Sequence, residues 1–222
     1  MIASYSKLVD RYSVVFAVFF KLNVADVILR KVFSEKNEFK PITPQPRVTP
    51  TPLTPSPQIP IAEYASMTRV EYNSERFMLL ISGPLNEVTE VSMRLPKLFD
   101  ELDYNLDEMV KYFEIVFPVQ PIDVPDATRK IRKLASFRGS EKLSRIVGSD
   151  LGVFTVSLSY PETPLTFNWF EITVSPDINA PTKRIIISII ARADNSNKAI
   201  ELLKNIPEIL GVVREVLEEV RL

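Results

Sequence analysis

The feature that most constrains the fold of this chain is a proline-rich stretch near its N-terminus. Residues Pro41 to Pro60 read PITPQPRVTPTPLTPSPQIP and contain eight of the eighteen prolines in the chain. Proline fixes φ and lacks a backbone donor, so neither a helix nor a central strand is expected through this sequence. We expect an extended, polyproline-II-like spacer over residues 40–61, about 60 Å long at about 3.1 Å per residue. The chain is therefore predicted to have an N-terminal element (1–39), a spacer and a globular body (62–222).

Composition excludes several classes of active site. The chain has 222 residues, 45% of them hydrophobic, and a net charge of −1, which is typical of a folded core. It contains no cysteine and no histidine, so disulfides, thiolate catalysis, imidazole acid–base chemistry and His-ligated zinc are excluded. None of the five glycines falls in a nucleotide-binding pattern such as GxGxxG. We therefore expect a non-enzymatic protein without a cofactor or a resident metal.

An apolar run near the N-terminus lacks the features of a secretory signal. Residues 13–20 are largely apolar, but Arg11 and Lys21 flank them and no small-residue cleavage site follows. Eight residues are also too few to span a bilayer. The expected location is therefore cytoplasmic.

Aromatic side chains are concentrated in the N-terminal element. Apolar residues recur there at helical spacing up to Phe20, and Asn23 with Asp26 resembles the start of a second helix. A pair of helices is our first interpretation, and a buried strand over residues 13–20 is the alternative, because β-branched and aromatic residues suit strands. About 35 residues cannot bury this surface alone, so the element must dock on the body, on a copy of itself or on a partner. The residues expected to make that contact are Tyr5, Leu8, Tyr12, Phe16, Phe19 and Phe20.

Alternating apolar residues in the body predict a sheet. Trp169 is expected to pack on this sheet, and its strands are expected near residues 68–72, 77–81, 154–160, 170–174 and 184–190. The last strand contains the run IIISII and is predicted to be buried on both faces. Short connections make the last three strands an antiparallel meander. The predicted fold class is therefore α+β, with an antiparallel sheet of about five strands and helices packed on one face.

Two amphipathic segments lie between these groups of strands. A helix is predicted from Asn86, with a kink or a break at Pro96. Residues 106–117 fit a second helix, ended by Pro118, but residues 111–117 would equally make a strand.

The strongest predicted helix covers residues 196–221, with Ser196 or Asp194 as its cap. Pro207 is expected to interrupt it. Its apolar residues keep a 4-3-4 spacing that is typical of a helix–helix contact: Ala199, Leu203, Ile206, Leu210, Val213, Leu217 and Val220.

Two strand–helix segments resemble each other. Arg76 precedes FMLLIS and Arg184 precedes IIISII, and the helix after each contains an apolar–Pro–charged–apolar sequence, at Pro96 and Pro207. An internal duplication would make the body pseudo-symmetric. Chance similarity is the alternative, because the two Arg-to-Pro spacings differ, at 20 and 23 residues.

A basic segment follows an acidic one. Residues 127–147 hold seven basic side chains and one acidic, whereas residues 63–126 hold five basic and thirteen acidic. On a helix ending near Phe137, three of the basic residues would share a face and track a phosphate backbone. The alternative is that this helix neutralises the acidic segment, within the chain or across an oligomer contact. The candidate nucleic-acid-binding residues are Arg129, Lys130, Arg132, Lys133 and Arg138.

One segment partly matches a calcium-binding loop. From Asp103 to Glu114, acidic or amide side chains stand at loop positions 1, 3, 5 and 12. Position 6 should be glycine and is Glu108. The alternative is that Asn105 caps a helix with Glu108 in its first turn, which explains the same residues without a metal.

These observations favour a protein–protein interaction or assembly protein, with self-association as the expected mode and the N-terminal element as the contact. A tethered element of this kind raises effective concentration without new contacts. Nucleic-acid binding through the basic segment is the alternative function. Binding to a membrane surface ranks last, because the polar face of the N-terminal element carries only a few basic residues.

Overall fold

The computed structural model describes residues 13–42, 58–65, 67–135, 140–148, 152–159 and 168–220. These residues form one nine-stranded antiparallel sheet and six α-helices, which confirms the α+β class. The prediction of about five strands is wrong. The four additional strands come from the N-terminal element, from both ends of the proline-rich stretch and from the ambiguous segment after residue 106.

The secondary structure elements follow in chain order. The strands are β1 (Ser13–Phe20), β2 (Phe39–Pro41), β3 (Ile59–Tyr64), β4 (Thr68–Asn73), β5 (Met78–Pro84), β6 (Val110–Asp123), β7 (Val156–Ser159), β8 (Trp169–Pro176) and β9 (Arg184–Ala193). The helices are α1 (Asp26–Val32), α2 (Leu85–Asp100), α3 (Leu106–Met109), α4 (Ala127–Leu134), α5 (Ser140–Val147) and α6 (Ser196–Glu219).

The order of the strands is nearly symmetric about the β1–β6 pair. It reads β2-β3-β4-β5-β1-β6-β9-β8-β7, with four strands on the β1 side of that pair and three on the β6 side. On each side of that pair the next strand is the one that leads into a long helix, β5 into α2 and β9 into α6. The two similar sequence segments therefore occupy equivalent places. Pro96 and Pro207 lie inside continuous helices, so the expected breaks do not occur.

The described part of the N-terminal element, residues 13–39, is not a pair of helices. Residues 13–20 form strand β1, as the alternative interpretation had it, and of the two predicted helices the described residues contain the second, as α1. Backbone pairing decides between the two, because β1 lies between β5 and β6 and pairs with both along most of its length. Phe16 is 1% exposed and Phe20 is 4% exposed, and Phe20 lies 6.1 Å from Phe99 of α2, ring centroid to ring centroid.

The two ends of the proline-rich stretch lie side by side. Phe39 in β2 pairs with Tyr64 in β3, and the backbone N–H of Ile42 donates to the carbonyl of Ile61 at 2.9 Å. Residues 43–57 lie outside the described residues. The predicted spacer therefore begins and ends on neighbouring strands, and its two ends are not about 60 Å apart.

The ambiguous segment after residue 106 is mostly a strand. Only residues 106–109 are helical, as α3, and β6 then continues past Pro118 to Asp123. A register shift between Phe117 and Gln120 accommodates the proline in the ladder with β9.

The helices that contact the sheet pack on one of its faces. Buried residues Val14, Phe16, Val18 and Phe20 of β1 point toward this face, and α2 and α6 contact the central strands and each other there. The predicted helix–helix seam of α6 thus packs within the chain, through buried residues including Leu203, Ile206 and Leu210. Asn195, not Ser196 or Asp194, caps α6 by accepting a hydrogen bond from the N–H of Lys198. In the described part of the chain, no helix combines the length and the apolar character needed to cross a membrane.

Candidate functional site

The face of the sheet opposite these helices can be read from the strand registers. Residues paired directly across an antiparallel ladder share a face, and successive residues alternate between faces. Since Phe16 points to the helices, its neighbours Val15 and Ala17 point away from them. We call this second surface the open face. The long helices α2 and α6 contact the central strands from the other side, where the alternate residues of β1 and β9 are buried.

The open face is apolar at its centre and polar on both sides. The four central strands, β5, β1, β6 and β9, place nine apolar side chains on it: Met78, Leu80, Val15, Ala17, Phe19, Tyr112, Val116, Ile186 and Ile190. Ala17 and Met78 are buried there, and the same strands also contribute Ser82, Glu114, Arg184, Ser188 and Arg192. The outer strands β4, β8 and β7 place mostly polar ones: Arg69, Glu71, Asn73, Glu171, Thr173, Ser175, Ser157 and Ser159. An antiparallel sheet with one solvated face normally alternates apolar and polar residues, and β1 and β5 depart from that rule most clearly, whereas β9 places Arg184, Ser188 and Arg192 on this face.

A row of planar side chains crosses the open face at one end. The rings of Phe19 and Tyr112 stack with centroids 4.4 Å apart. The guanidinium carbon of Arg192 lies 5.2 Å from the Tyr112 ring and 5.4 Å from the Trp169 ring. Arg192 Nε also donates to Glu114 Oε2 at 2.6 Å. These side chains thus link strands β1, β6, β9 and β8, and the charges of Arg192 and Glu114 among them balance each other.

Burial is the main influence on the pKa of Tyr112. It raises the pKa of Tyr112, while the positive charge of Arg192 lowers it and the negative charge of Glu114 raises it. With its raised pKa, the hydroxyl of Tyr112 stays neutral at physiological pH.

A polar cleft of about 360 Å³ lies next to the row, where β9 meets the start of α6. Its lining includes Asn168, Arg192, Lys198, Glu201 and Asn205. The charges here are paired: Lys198 Nζ lies 3.1 Å from Asp194 Oδ1, and Arg192 binds Glu114. The cleft offers hydrogen-bonding groups, and its residues do not pair a nucleophile with a base.

The structure divides the predicted N-terminal contact residues between two environments. Phe16 and Phe20 are in the core beneath the helices, whereas Phe19 is half-buried on the open face. Tyr5, Leu8 and Tyr12 lie outside the described residues. Of the six residues, the described structure therefore leaves Phe19 in position to touch a partner.

The basic segment lies away from the open face. Arg129, Arg132 and Lys133 are exposed on α4 and Lys130 is half-buried, while Ile131 is buried against the molecule. Helix α4 contacts β8 and α6, which places it in the helical layer. Arg138 lies outside the described residues. The basic residues and the open face are thus on opposite sides of the sheet.

The residues of the predicted calcium loop have other partners. Asn105 caps α3, accepting hydrogen bonds from the backbone N–H groups of Asp107 and Glu108. Asp107 accepts from the N–H and the hydroxyl of Ser196, and Glu114 lies in β6 against Arg192. The helix–loop–helix that a calcium loop requires does not form, and the capping interpretation is confirmed. No group of three or more potential metal ligands occurs within the described ranges.

Sequence reasoning missed most of the open face. The run of isoleucines in β9 was the relevant sequence signal. It was interpreted as burial on both faces of the strand, whereas only alternate residues of β9 are fully buried. Trp169 does pack on the sheet, on the open face beside Arg192. No protein-family model matches this chain, and no curated protein matches it significantly.

Proposed function

We propose that this protein is a non-enzymatic interaction or assembly protein and that the open face is its contact surface. The observation that carries the proposal is the cluster of apolar side chains that β1 and β5 place on this face, continued by Tyr112, Val116, Ile186 and Ile190, although the long helices α2 and α6 pack on the other face. An uncovered apolar centre with a polar rim is the usual composition of a protein–protein contact.

The open face is large enough for a stable contact. Nine strands at about 4.8 Å spacing span about 38 Å, and about seven residues per strand give a height of about 23 Å. The resulting area of about 900 Å² is similar to the roughly 800 Å² that each partner contributes to a standard interface. Side chains such as Leu80 and Ile190 are half-buried already, so the partner would remove their remaining apolar surface from water.

The charges on the open face favour a protein partner over a nucleic acid. Its basic side chains are Lys40, Arg69, Arg184 and Arg192, and its acidic ones are Glu63, Glu71, Glu114, Asp123 and Glu171, a difference of 4 − 5 = −1. A surface that tracks a phosphate backbone needs a clear positive excess.

This proposal keeps the predicted function and changes the residues that serve it. Phe16 and Phe20 are needed for the fold, so their loss would not report on association. Truncation to residues 61–222 would remove β1 from the middle of the sheet, so it would not report on association either. Phe19 and the other apolar residues of the open face are the ones to test.

A site-specific photo-crosslinker tests the contact surface. Benzoylphenylalanine at Leu80 on the open face should give a discrete adduct in native cell extract or with the purified chain. The control position is Met93 on α2, which is 50% exposed on the helical side. Adducts from Met93 with none from Leu80 would contradict the proposal.

Nucleic-acid binding through α4 is a second candidate function. The exposed side chains of Arg129 and Arg132 favour it, and in the described part of the chain neither of them is ion-paired. Replacing Arg129, Arg132 and Lys133 by Glu should abolish binding of labelled DNA or RNA. The wild-type affinity should fall steeply with salt, with a log–log slope of about −0.9 for each duplex DNA phosphate contacted. A salt-independent affinity would exclude this mode.

A further inference from the structure

We infer that helices α4 and α5 form a peripheral binding site for a membrane surface that is rich in anionic lipids. The two helices bring exposed basic side chains together with exposed aliphatic ones, which is the combination typical of helices that lie in a membrane interface. The inference goes beyond the proposed function, because it concerns these two helices and not the open face.

Helix α5 leaves apolar side chains in water. Ile146 is 80% exposed and Val147 is 60% exposed, although both are aliphatic and adjacent in the sequence. Within the described ranges, no other helix or strand makes an extensive contact with α5. Apolar surface left in water costs free energy, so two such neighbours on one short helix mark a surface that another molecule covers.

The path of the chain holds α5 close to the basic helix α4. Five residues separate the end of α4 at Leu134 from the start of α5 at Ser140, so these two ends lie within about 20 Å of each other. After α5 the chain returns to α4, because a Cβ added at Gly152 would lie 3.1 Å from the side chain of Arg132. The side chains of α4 and α5 therefore belong to one region of the molecular surface.

The charges of this region are complementary to anionic lipid head groups. Four basic side chains of the two helices are exposed and have no ion-pair partner among the described residues: Arg129, Arg132, Lys142 and Arg145. Lys142 stands four residues before Ile146, so its aliphatic stem can follow the apolar side of α5 while its ammonium group reaches a phosphate. Each basic side chain near an anionic membrane strengthens binding by about fivefold.

The aliphatic residues favour a membrane over a nucleic acid. Duplex DNA attracts basic residues through its phosphates, and single strands stack their bases on aromatic rings. Neither interaction uses Ile146 or Val147, and the described residues between 127 and 148 include no aromatic side chain. A bilayer uses both kinds of residue, because its head groups bind the basic ones and its acyl boundary takes up the aliphatic ones.

Vesicle binding by the full chain tests the inference. Flotation with vesicles of equal parts phosphatidylserine and phosphatidylcholine should carry the protein upward, whereas vesicles of phosphatidylcholine alone should not. The double substitution Ile146→Ser and Val147→Ser removes apolar surface without changing the charge, so we expect vesicle binding to weaken at least about tenfold. Leu22→Ser is the control, at a residue that is 77% exposed in the loop after β1, and it should leave binding unchanged.

A fluorescent label gives a second readout that does not rely on a loss of binding. The chain contains no cysteine, so Ile146→Cys and Leu22→Cys each supply a single thiol for a dye whose emission depends on solvent polarity. With phosphatidylserine vesicles the emission of the dye at position 146 should shift to the blue, because the dye enters an apolar layer. The dye at position 22 should show no shift.

Each outcome supports or overturns the inference. Binding to phosphatidylserine vesicles that the serine substitutions weaken, with a blue shift at position 146, would support it. Absence of vesicle binding by the wild type, or unchanged binding by the serine variant, would overturn it. Binding of duplex DNA that survives the serine substitutions, without vesicle binding, would assign the basic residues to nucleic acid and overturn it as well. Failure here would leave the proposed function standing, because the Leu80 crosslinker tests a different surface.

Discussion

The two faces of strand β1 differ in what covers them, and little in residue type. Along β1, Val14, Phe16 and Val18 are buried beneath the helices, while Val15 and Phe19 on the other face remain partly exposed. Both sets are apolar, and both come from one run of eight residues. On β1, therefore, the parity of a residue's position decides whether its side chain lies beneath the helices or on the open face, where Val15 and Phe19 are partly exposed and Ala17 is buried.

The largest expected effect is the difference in stability loss between substitution of Phe16, on the helical face, and substitution of Phe19, on the open face. Phe16→Ala leaves a cavity beside Phe113, whose ring centroid lies 5.8 Å away, and should cost about 3–5 kcal/mol of unfolding free energy. Phe19→Ala loses one stacked ring and part of its burial, which should cost only about 1 kcal/mol. Urea denaturation of both variants measures the difference. Equal losses of stability would contradict the assignment of Phe19 to an uncovered face.

Two glycines test the closeness of packing on the helical face. A Cβ at Gly83 would lie 2.4 Å from Thr68 Oγ1 and 2.8 Å from Thr68 Cα, and both strands are fixed by their ladder. We expect Gly83→Ala to destabilise the protein by about 1–3 kcal/mol. The control is Gly211→Ala in α6, where no atom lies within 4 Å of the added group and the change should stabilise the helix by up to about 1 kcal/mol. A rise in melting temperature for Gly83→Ala would contradict the described contact.

Glu114→Gln tests the charge pair on the open face. The substitution removes the carboxylate that binds Arg192 and should cost about 1–2 kcal/mol, because both side chains are partly buried. It should also lower the pKa of Tyr112, since Glu114 is one of the groups that raise it. Arg192→Gln should raise the same pKa, because the positive charge favours the tyrosinate. Titration of tyrosine absorbance in the two variants checks the opposite signs, and shifts in one direction would refute the described geometry.

The smallest expected effect is the pH dependence contributed by Asp194, at the margin of the open face. Asn168 Nδ2 donates to its carboxylate at 3.0 Å, and this hydrogen bond, followed by Lys198, lowers the pKa of Asp194, although burial acts in the other direction. A lowered folded pKa contributes stability above the unfolded value of about 3.9, and that stability is lost as the pH falls through the folded pKa.

Asn168→Ala should therefore lower stability more at pH 6 than near pH 2. The loss that remains at pH 2 comes from the hydrogen bond that Asn168 Oδ1 accepts from the backbone N–H of Asp194 at 3.2 Å, which does not depend on the carboxylate charge. Thermal unfolding of both proteins across this pH range is the measurement. A constant difference at all pH values would show that the charge of Asp194 plays no part in the effect of Asn168.

Sequence patterns predicted the parts of the fold in which neighbours in sequence are neighbours in space. The β4–β5 hairpin, the β7–β8–β9 meander and the helices α2 and α6 are of this kind. Strand β1 is different, because its apolar residues fit a period of 3.6 as well as a period of 2. Its partners β5 and β6 follow about 60 to 100 residues later in the sequence, and pairing with them makes this segment a strand.

The open face could not be found from the sequence for a related reason. Periodicity shows that Ile186 and Ile190 are apolar, but it does not show which elements pack over them. Whether such residues are core or contact depends on where the helices go, and here the long helices α2 and α6 both pack on the same side.

The position of β1 also means that this chain could be divided into two complementary pieces. A cut between residues 43 and 57 would leave β1, α1 and β2 in one fragment and the remaining seven strands in the other. The larger fragment would then have an open gap between β5 and β6, lined by unpaired backbone groups that match those of β1. Residues 1–42 would act as a strand donor for the rest of the molecule, and recovery of the folded structure would show that the two fragments had bound each other.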